Sequence, residues 1–281
     1  MTMRDGECLL PTGAATLCIS VAARPSRFGI TVHNAGYRAL GLDFFYKSFQ
    51  ATDIQPVISA VRALNIRGCS VSMPFKESVM PFLDGLDPLA ERTGAVNTVV
   101  NNDGRLIGYN TDVVGILKAL QPCTVSADER ILVLGSGGVA KAAGTALVTM
   151  GFDKVTFCGR NPKTVSACAR RFGFHFAPWE KCDSLEGEIL INATSVGMSP
   201  DHDLLPIDPK GLDRFRLVLD VVATPPVSAL IKKTRDRGIV GVDGFTVTLH
   251  QAAEQFFLYT GHKAPLDIMR QAALSLLAKT I

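Results

Sequence analysis

Apolar residues in the first third of the chain fall in short blocks separated by amphipathic stretches. Thr16 to Ala22 (TLCISVA) and the aromatic-rich Asp43 to Phe49 (DFFYKSF) predict strands. Between them Arg24-Pro25-Ser26-Arg27-Phe28-Gly29 predicts a loop by its Pro and Gly punctuation. Thr31 is placed to cap a helix that runs to Leu40 and ends at Gly41. From Asp53 to Leu64 the apolar residues Ile54, Val57, Ile58, Val61 and Leu64 keep helical spacing. Arg67 to Val71 is the next strand, and Pro88 marks a loop and short helix. Ala95 to Val100 and Arg105 to Tyr109 flank Asn101-Asn102-Asp103-Gly104, a hairpin signal. Asn110 or Thr111 would cap the helix that follows, with Asp112 in its first turn, where the helix dipole favours a carboxylate.

A second strand–helix series begins at Arg130. Ile131 to Leu134 leads into Gly135-Ser136-Gly137-Gly138 and an alanine-rich helix to Met150, ended by Gly151. Val155 to Cys158, Glu188 to Ile191, Arg216 to Val222 and Ile239 to Val242 are further strands. Helices are expected over Pro226 to Arg237, Phe245 to Tyr259 and Pro265 to Ala278. Alternating strands and helices predict an α/β fold with covered parallel sheets. The boundary between two domains is best placed inside the Asp112 helix, giving 1–113 and 114–244. The last two helices (245–281) are expected to fold back on the first domain.

Composition narrows the function classes. With 47% hydrophobic and 20% charged residues, the 281-residue chain can bury a real core. A formal charge of +3, without a basic cluster, argues against nucleic acid or an anionic membrane as partner. No apolar run reaches spanning length, and Met1 to Pro11 carries no secretory pattern. The 7 cysteines are odd in number and form no C-x-x-C pair, so neither a zinc site nor a disulfide framework is expected; no metal site is assigned. The reading is a cytoplasmic protein, monomer or homodimer, in a reducing compartment.

Two stretches carry candidate chemistry. The strand ending at Val71 is expected to pass through a Ser72-Met73-Pro74 corner into a helix. Lys76 then falls in its first turn, where a cation opposes the dipole. A surface lysine is the plain alternative. Gly135-Ser136-Gly137-Gly138, between strand and helix, suits the approach of a pyrophosphate to a helix N-terminus, with Ala140 where a third glycine is commonly found. A dinucleotide with a free ribose hydroxyl usually meets an acid about 20 residues on. Here the next strand ends in Cys158-Gly159-Arg160-Asn161-Pro162-Lys163, and Arg160 and Lys163 suit a 2′-phosphate, favouring NADP over NAD.

Taken together, several stretches resemble the shikimate dehydrogenase family. They are Ser70-Val71-Ser72-Met73-Pro74-Phe75-Lys76, Gly94-Ala95-Val96-Asn97-Thr98, Gly108-Tyr109-Asn110-Thr111-Asp112, the glycine loop, Asn192-Ala193-Thr194-Ser195-Val196-Gly197-Met198, and Asp243-Gly244 with Gln251. The resemblance implies an N-terminal substrate domain completed by the C-terminal helices, a Rossmann-type NADP domain between them, and an active site in the cleft. It implies Lys76 and Asp112 as an acid–base pair, with Asn97, Gln251 and Ser72 at the substrate. The cofactor would meet Gly135, Ser136, Gly137, Gly138, Val139, Arg160 and Lys163, and on the nicotinamide side Thr194, Ser195 and Gly244. The implied reaction is reversible NADP-dependent hydride transfer between shikimate and 3-dehydroshikimate.

The sequence departs from the family on the carboxylate side. Aligned on His33, the family's Ser-x-Ser-Pro reads Arg27, Gly29 and Ile30, so Arg27 is a candidate carboxylate ligand and Phe28 a candidate for narrowing the pocket. Its Asn-x-Thr reads Ser70-x-Ser72, a tyrosine after the Asp220 strand reads Ala223, and Asn-Arg-Thr reads Gly159-Arg160-Asn161. The chain is most similar to a divergent, shikimate dehydrogenase-like subgroup, with weak or altered substrate preference expected. Quinate or an aminated shikimate, both cyclic hydroxy acids, are the alternative substrates. A redox sensor that binds NADP without turnover is the alternative outside enzymes. His33 and Asn34 read as structural, and Tyr46, Tyr109 and Trp179 as core or rim.

Overall fold

The structure, a computed structural model, describes residues 11–278. Of the Met1 to Pro11 stretch, all but Pro11 lies outside them. The first sheet is built from β1 (Thr16–Ala22), β2 (Phe44–Gln50), β3 (Gly68–Val71), β4 (Gly85–Leu86), β5 (Thr98–Asn102) and β6 (Arg105–Tyr109), in the order β2-β1-β3-β5-β6-β4. β1, β2 and β3 are parallel, and the β5–β6 hairpin joins β3 antiparallel. The hairpin turns at Asp103 and Gly104, both with positive φ (52° and 91°), as an Asp-Gly turn requires. Helices α1 (Phe28–Ala39), α2 (Ile54–Ala63) and α3 (Pro88–Thr93) connect these strands.

After α4 (Thr111–Leu120) comes the second sheet: β7 (Ile131–Leu134), β8 (Val155–Gly159), β9 (His175–Pro178), β10 (Ile189–Asn192), β11 (Leu217–Asp220) and β12 (Val240–Val242). All are parallel, in the order β12-β11-β10-β7-β8-β9, with α5 (Gly138–Thr149), α6 (Pro162–Arg171) and α7 (Ala229–Arg235) as crossovers. This doubly wound order reverses between β7 and β10, and ligands bind beyond the strand ends at such a switch point. The strands β7, β10 and β11 are apolar almost throughout because both faces are covered.

Two helices close the chain. α8 (Gly244–Thr260) starts beside the second sheet, capped by Asp243, and α9 (Leu266–Ala278) follows. Phe245, Leu249, Ala252, Phe256 and Tyr259 of α8 and Met269 and Ala273 of α9 share a core with Cys18, Val32, Tyr37 and Tyr46 of the first unit. Tyr46 is held through its backbone by Asn34, which donates to its carbonyl (2.9 Å) and accepts from its N–H (2.8 Å). His33 stacks on the Tyr46 ring at 4.4 Å between centroids.

Four expectations change. α1 begins at Phe28, one turn before Thr31, with Arg27 at its N-cap. β9 (His175–Pro178) is a strand that its mixed composition conceals. Lys76 is not on a helix: residues 73–79 form turns leading to a short 3₁₀ segment, Met80–Phe82. The Lys76 carbonyl accepts from Val96 N–H (2.7 Å), and the Met80 N–H, which a helix would direct to Lys76, bonds Glu77 instead (3.3 Å). Pro81 has no N–H to continue a helix. Finally, Cys158 and Cys182 are disulfide-bonded, with Cα atoms 6.1 Å apart. Sequence spacing hides the pair because the pairing of β8 with β9, Gly159 opposite Pro178, brings it together.

Candidate active site

Strand direction decides which loops meet. The end of β3, the start of antiparallel β5 and the end of β6 lie on one edge of the first sheet, shared with the loop after β1. Lys76 follows β3, Asn97 precedes β5 and Asp112 follows β6, so the fold gathers all three. Lys76 Nζ donates to Asp112 Oδ2 at 2.6 Å, each side chain 16% exposed. Asp112 is fixed because Asn110 caps α4, accepting from Val113 N–H (3.4 Å) and donating to the Ala95 carbonyl (2.8 Å).

A neutral network lies beside this pair. Asn97 Oδ1 accepts from Thr98 Oγ1 (2.8 Å), Thr111 N–H (2.8 Å) and Thr111 Oγ1 (3.1 Å). Gln251 Nε2 donates to Thr111 Oγ1 at 3.0 Å. Gln251 can reach it because α8 crosses α4 at Gly115, where a Cβ would stand 2.6 Å from the Val247 carbonyl oxygen. Gln255, one turn further along α8, donates to Ser70 Oγ (3.1 Å) and Thr98 Oγ1 (2.8 Å). The sequence reading passed over it; two glutamines spaced i, i+4 on one helix face were the available signal.

Gln251 and Gln255 open onto a cavity of about 430 Å³. Ser20, Ser70 and Ser72 line it, as do Arg24, Arg27 and Phe28, and Leu276 and Leu277 of α9. Among the described residues no carboxylate lines it. His33 is in its wall, fully buried, its pKa pushed down to about 3 by burial, so the imidazole is neutral. Gly29 also lines this cavity, and a Cβ on it would stand 3.0 Å from Tyr46 Cε1, so a larger residue there requires the buried Tyr46 ring to shift.

A second cavity of about 570 Å³ lies at the strand ends of the second sheet. Gly135, Ser136 and Gly137 line it together with Arg160, Asn161, Trp179, Thr194 and Ser195. Gly135 has φ +110°, and a Cβ there would stand 2.8 Å from the Ala193 carbonyl oxygen, so only glycine fits. No side chain caps the α5 N-terminus. The β10 end is held by Asn192, which donates to Asp220 (2.9 Å) and accepts from Thr194 N–H (3.1 Å) and Oγ1 (2.7 Å). Asp220 is buried, and burial pushes its pKa up to about 6. Gly138, Val139, Lys163 and Gly244 do not line this cavity. Gly244 instead packs α8 against β11's exit, where a Cβ would stand 2.4 Å from the Val222 carbonyl oxygen.

The two sites face one cleft. A Cβ on Gly138, the first residue of α5, would stand 3.6 Å from Lys76 Cδ. Lys141 of α5 pairs with Glu77 at 2.7 Å. The lysine–aspartate pair thus abuts the helix that leaves the glycine loop. Among the described residues no cluster of His, Cys, Asp and Glu is arranged to hold a metal, and no helix is long and apolar enough to cross a membrane.

Residues 26–99 match the shikimate dehydrogenase substrate binding domain, and residues 244–274 the shikimate 5′-dehydrogenase C-terminal domain. A shikimate dehydrogenase-like protein of Haemophilus influenzae is 40% identical, over 92% of this chain and 95% of that protein. The shikimate dehydrogenase (NADP(+)) of Pyrococcus furiosus is 37% identical, over 87% and 89%. Among solved structures, the shikimate 5-dehydrogenase of Thermus thermophilus, in complex with NADP(H) and shikimate, superposes with a TM-score of 0.83 at 30% identity, covering 92% of this chain and 99% of that one.

Proposed function

The chain belongs to the shikimate dehydrogenase family, and from that membership we propose that it is an NADP-dependent oxidoreductase interconverting shikimate, or a close cyclic hydroxy acid, with its ring ketone, in the cytoplasm. The observation that carries this reading is the Lys76–Asp112 pair set against the glycine-loop helix. Residues 1–113 with the C-terminal helices serve as the substrate domain, and 114–244 as the dinucleotide domain.

The residues fit the cofactor. The Gly135 cradle admits a backbone-close pyrophosphate, and the open α5 N-terminus supplies N–H donors and a positive dipole end. The β8 exit presents Arg160, exposed and without an acid beside it, to a 2′-phosphate. When bound, NADPH supplies the hydride. The chain supplies everything else. Lys76 Nζ, held by Asp112, hydrogen-bonds the substrate oxygen and stabilises the charge that grows there as the carbonyl is reduced. The pair delivers the proton to that oxygen and, in the oxidative direction, takes it back. Asn97, Gln251 and Ser72 bind the ring hydroxyls, and Thr194 and Ser195 border the nicotinamide.

Arg27 takes over the carboxylate. Gly29 cannot carry a serine side chain without displacing the Tyr46 ring, and the cavity mouth offers guanidinium groups instead. That exchange supports an altered substrate preference within the same chemistry.

The test is turnover of shikimate, quinate and aminated shikimate with NADP(H), read at the reduced nicotinamide band. Lys76→Ala should lower kcat by about 10²–10⁴-fold while NADPH still binds. A wild type that binds NADPH yet turns over none of these acids overturns the enzyme reading in favour of a sensor.

A further inference from the structure

The cofactor cavity has one aromatic side chain in its wall, Trp179, which is also the chain's 1 tryptophan. It follows β9 directly and opens the 3₁₀ turn Trp179–Ser184. Part of the side chain packs on the core formed by Leu132, Leu134 and Leu190, and the residue remains half-exposed at the cavity. It lines this cavity together with the glycine loop, Arg160 and Asn161.

The position is doubly fixed. Pro178, the residue before Trp179, pairs with Gly159, the residue before Arg160. One residue before Gly159, Cys158 of β8 is disulfide-bonded to Cys182 of the Trp179 turn. Indole and guanidinium therefore leave adjacent strands from paired positions, under a covalent staple. A flat apolar ring beside a cation, in a cavity whose glycine loop fits a pyrophosphate, suits a purine with a phosphorylated ribose. Stacking on an aromatic face contributes affinity for any base.

We propose that Trp179 is the adenine-binding face of the cofactor site, its indole stacking on the purine while Arg160 takes the 2′-phosphate. This rests on the NADP reading above. It assigns a contact to a residue that the motifs leave out.

The test uses 2′,5′-ADP, which carries the adenine and the 2′-phosphate but no nicotinamide, alongside NADPH. With a single tryptophan, its emission reports Trp179 alone. Both ligands should quench it saturably, and NADPH should show energy transfer into the reduced nicotinamide. Trp179→Phe should stay near wild-type affinity. Trp179→Ala should weaken both ligands about tenfold, the loss falling mainly on KM for NADPH. If NADPH binds, as seen by its own emission, while tryptophan emission is unchanged and both variants bind as wild type does, this assignment fails and the NADP reading stands. If wild type binds neither ligand, both fail.

Discussion

Arg27 and Asp220 are ionisable residues in contrasting environments, which set opposite expectations. Arg27 is exposed and lines a cavity to which the described residues bring no carboxylate. Its removal costs the fold little, and its effect belongs to the substrate. Arg27→Ala should raise KM for an acidic substrate about tenfold, the scale of one lost charged hydrogen bond, and leave KM for NADPH alone; an unchanged KM for the acid removes Arg27 as carboxylate ligand. Asp220 is buried and its pKa is raised from 3.8 to about 6 by burial. The folded state therefore holds its proton more tightly than the unfolded chain. That contribution to stability is fully present below about pH 4 and is lost as pH rises through 6. Two units correspond to about 3 kcal/mol. Denaturant unfolding at pH 4 and pH 7 should show wild type losing up to this amount relative to Asp220→Asn. A difference that does not change with pH excludes the shift. The contacts of Lys76 with Asp112, and of Asn97 and Gln251 with Thr111, join residues that short motifs single out. Trp179 was not legible, since its place depends on a strand pairing that His175-Phe176-Ala177-Pro178 does not announce.

Elements were legible where local chemistry and tertiary context agree. β1 was readable to the residue, and α2 to its Asp53 cap, which accepts from Gln55 N–H at 3.0 Å. The Lys76 corner was not, because residues remote in sequence claim its backbone groups: the Lys76 carbonyl goes to Val96. A helix reading from Ser72 and Pro74 follows sound local rules and loses to that one bond. The crossing of α4 and α8 is likewise a tertiary fact. At Gly115 a Cβ would meet the Val247 carbonyl at 2.6 Å and Gln251 Cβ at 3.1 Å, and backbone cannot retreat as a flexible side chain can. Gly115→Val should destabilise by about 1–3 kcal/mol. It should also push Gln251 away from Thr111, so KM for substrate should rise in the surviving folded protein. Thermal unfolding together with substrate kinetics reads both effects. Loss of stability with an intact KM would mean that the network tolerates the shift.

On the scale of the whole molecule, catalysis needs two separately folded sheets to present one lysine and one nicotinamide to each other. The contacts across the cleft show how that relation is held. Thr93 of α3 and Thr145 of α5 share a buried hydrogen bond of 2.9 Å, and Arg171 of α6 donates to the carbonyls of Arg92 (2.6 Å) and Glu91 (2.8 Å) at the end of α3. These fix α3 against α5 and α6. One turn before Thr145 on α5, next to Lys76, Lys141 makes a further link to Glu77, at 2.7 Å but with the Glu77 side chain 60% exposed. An exposed pair of this kind contributes at most about 1 kcal/mol to folding, so its effect should appear in turnover. Lys141→Gln should leave the unfolding midpoint nearly unchanged and lower kcat/KM several-fold. Raising salt should lower kcat/KM in both wild type and variant, since it also screens Arg27 and Arg160 from their anions, and should lower wild type by more, because only wild type carries the Glu77–Lys141 pair. The charge-reversed double variant, Glu77→Lys with Lys141→Glu, should recover most of the loss if attraction across the cleft is the cause. If the double variant is no better than Lys141→Gln, the pair does not hold the cleft, and the α3–α5 contact with the Arg171 clamp sets its geometry by itself.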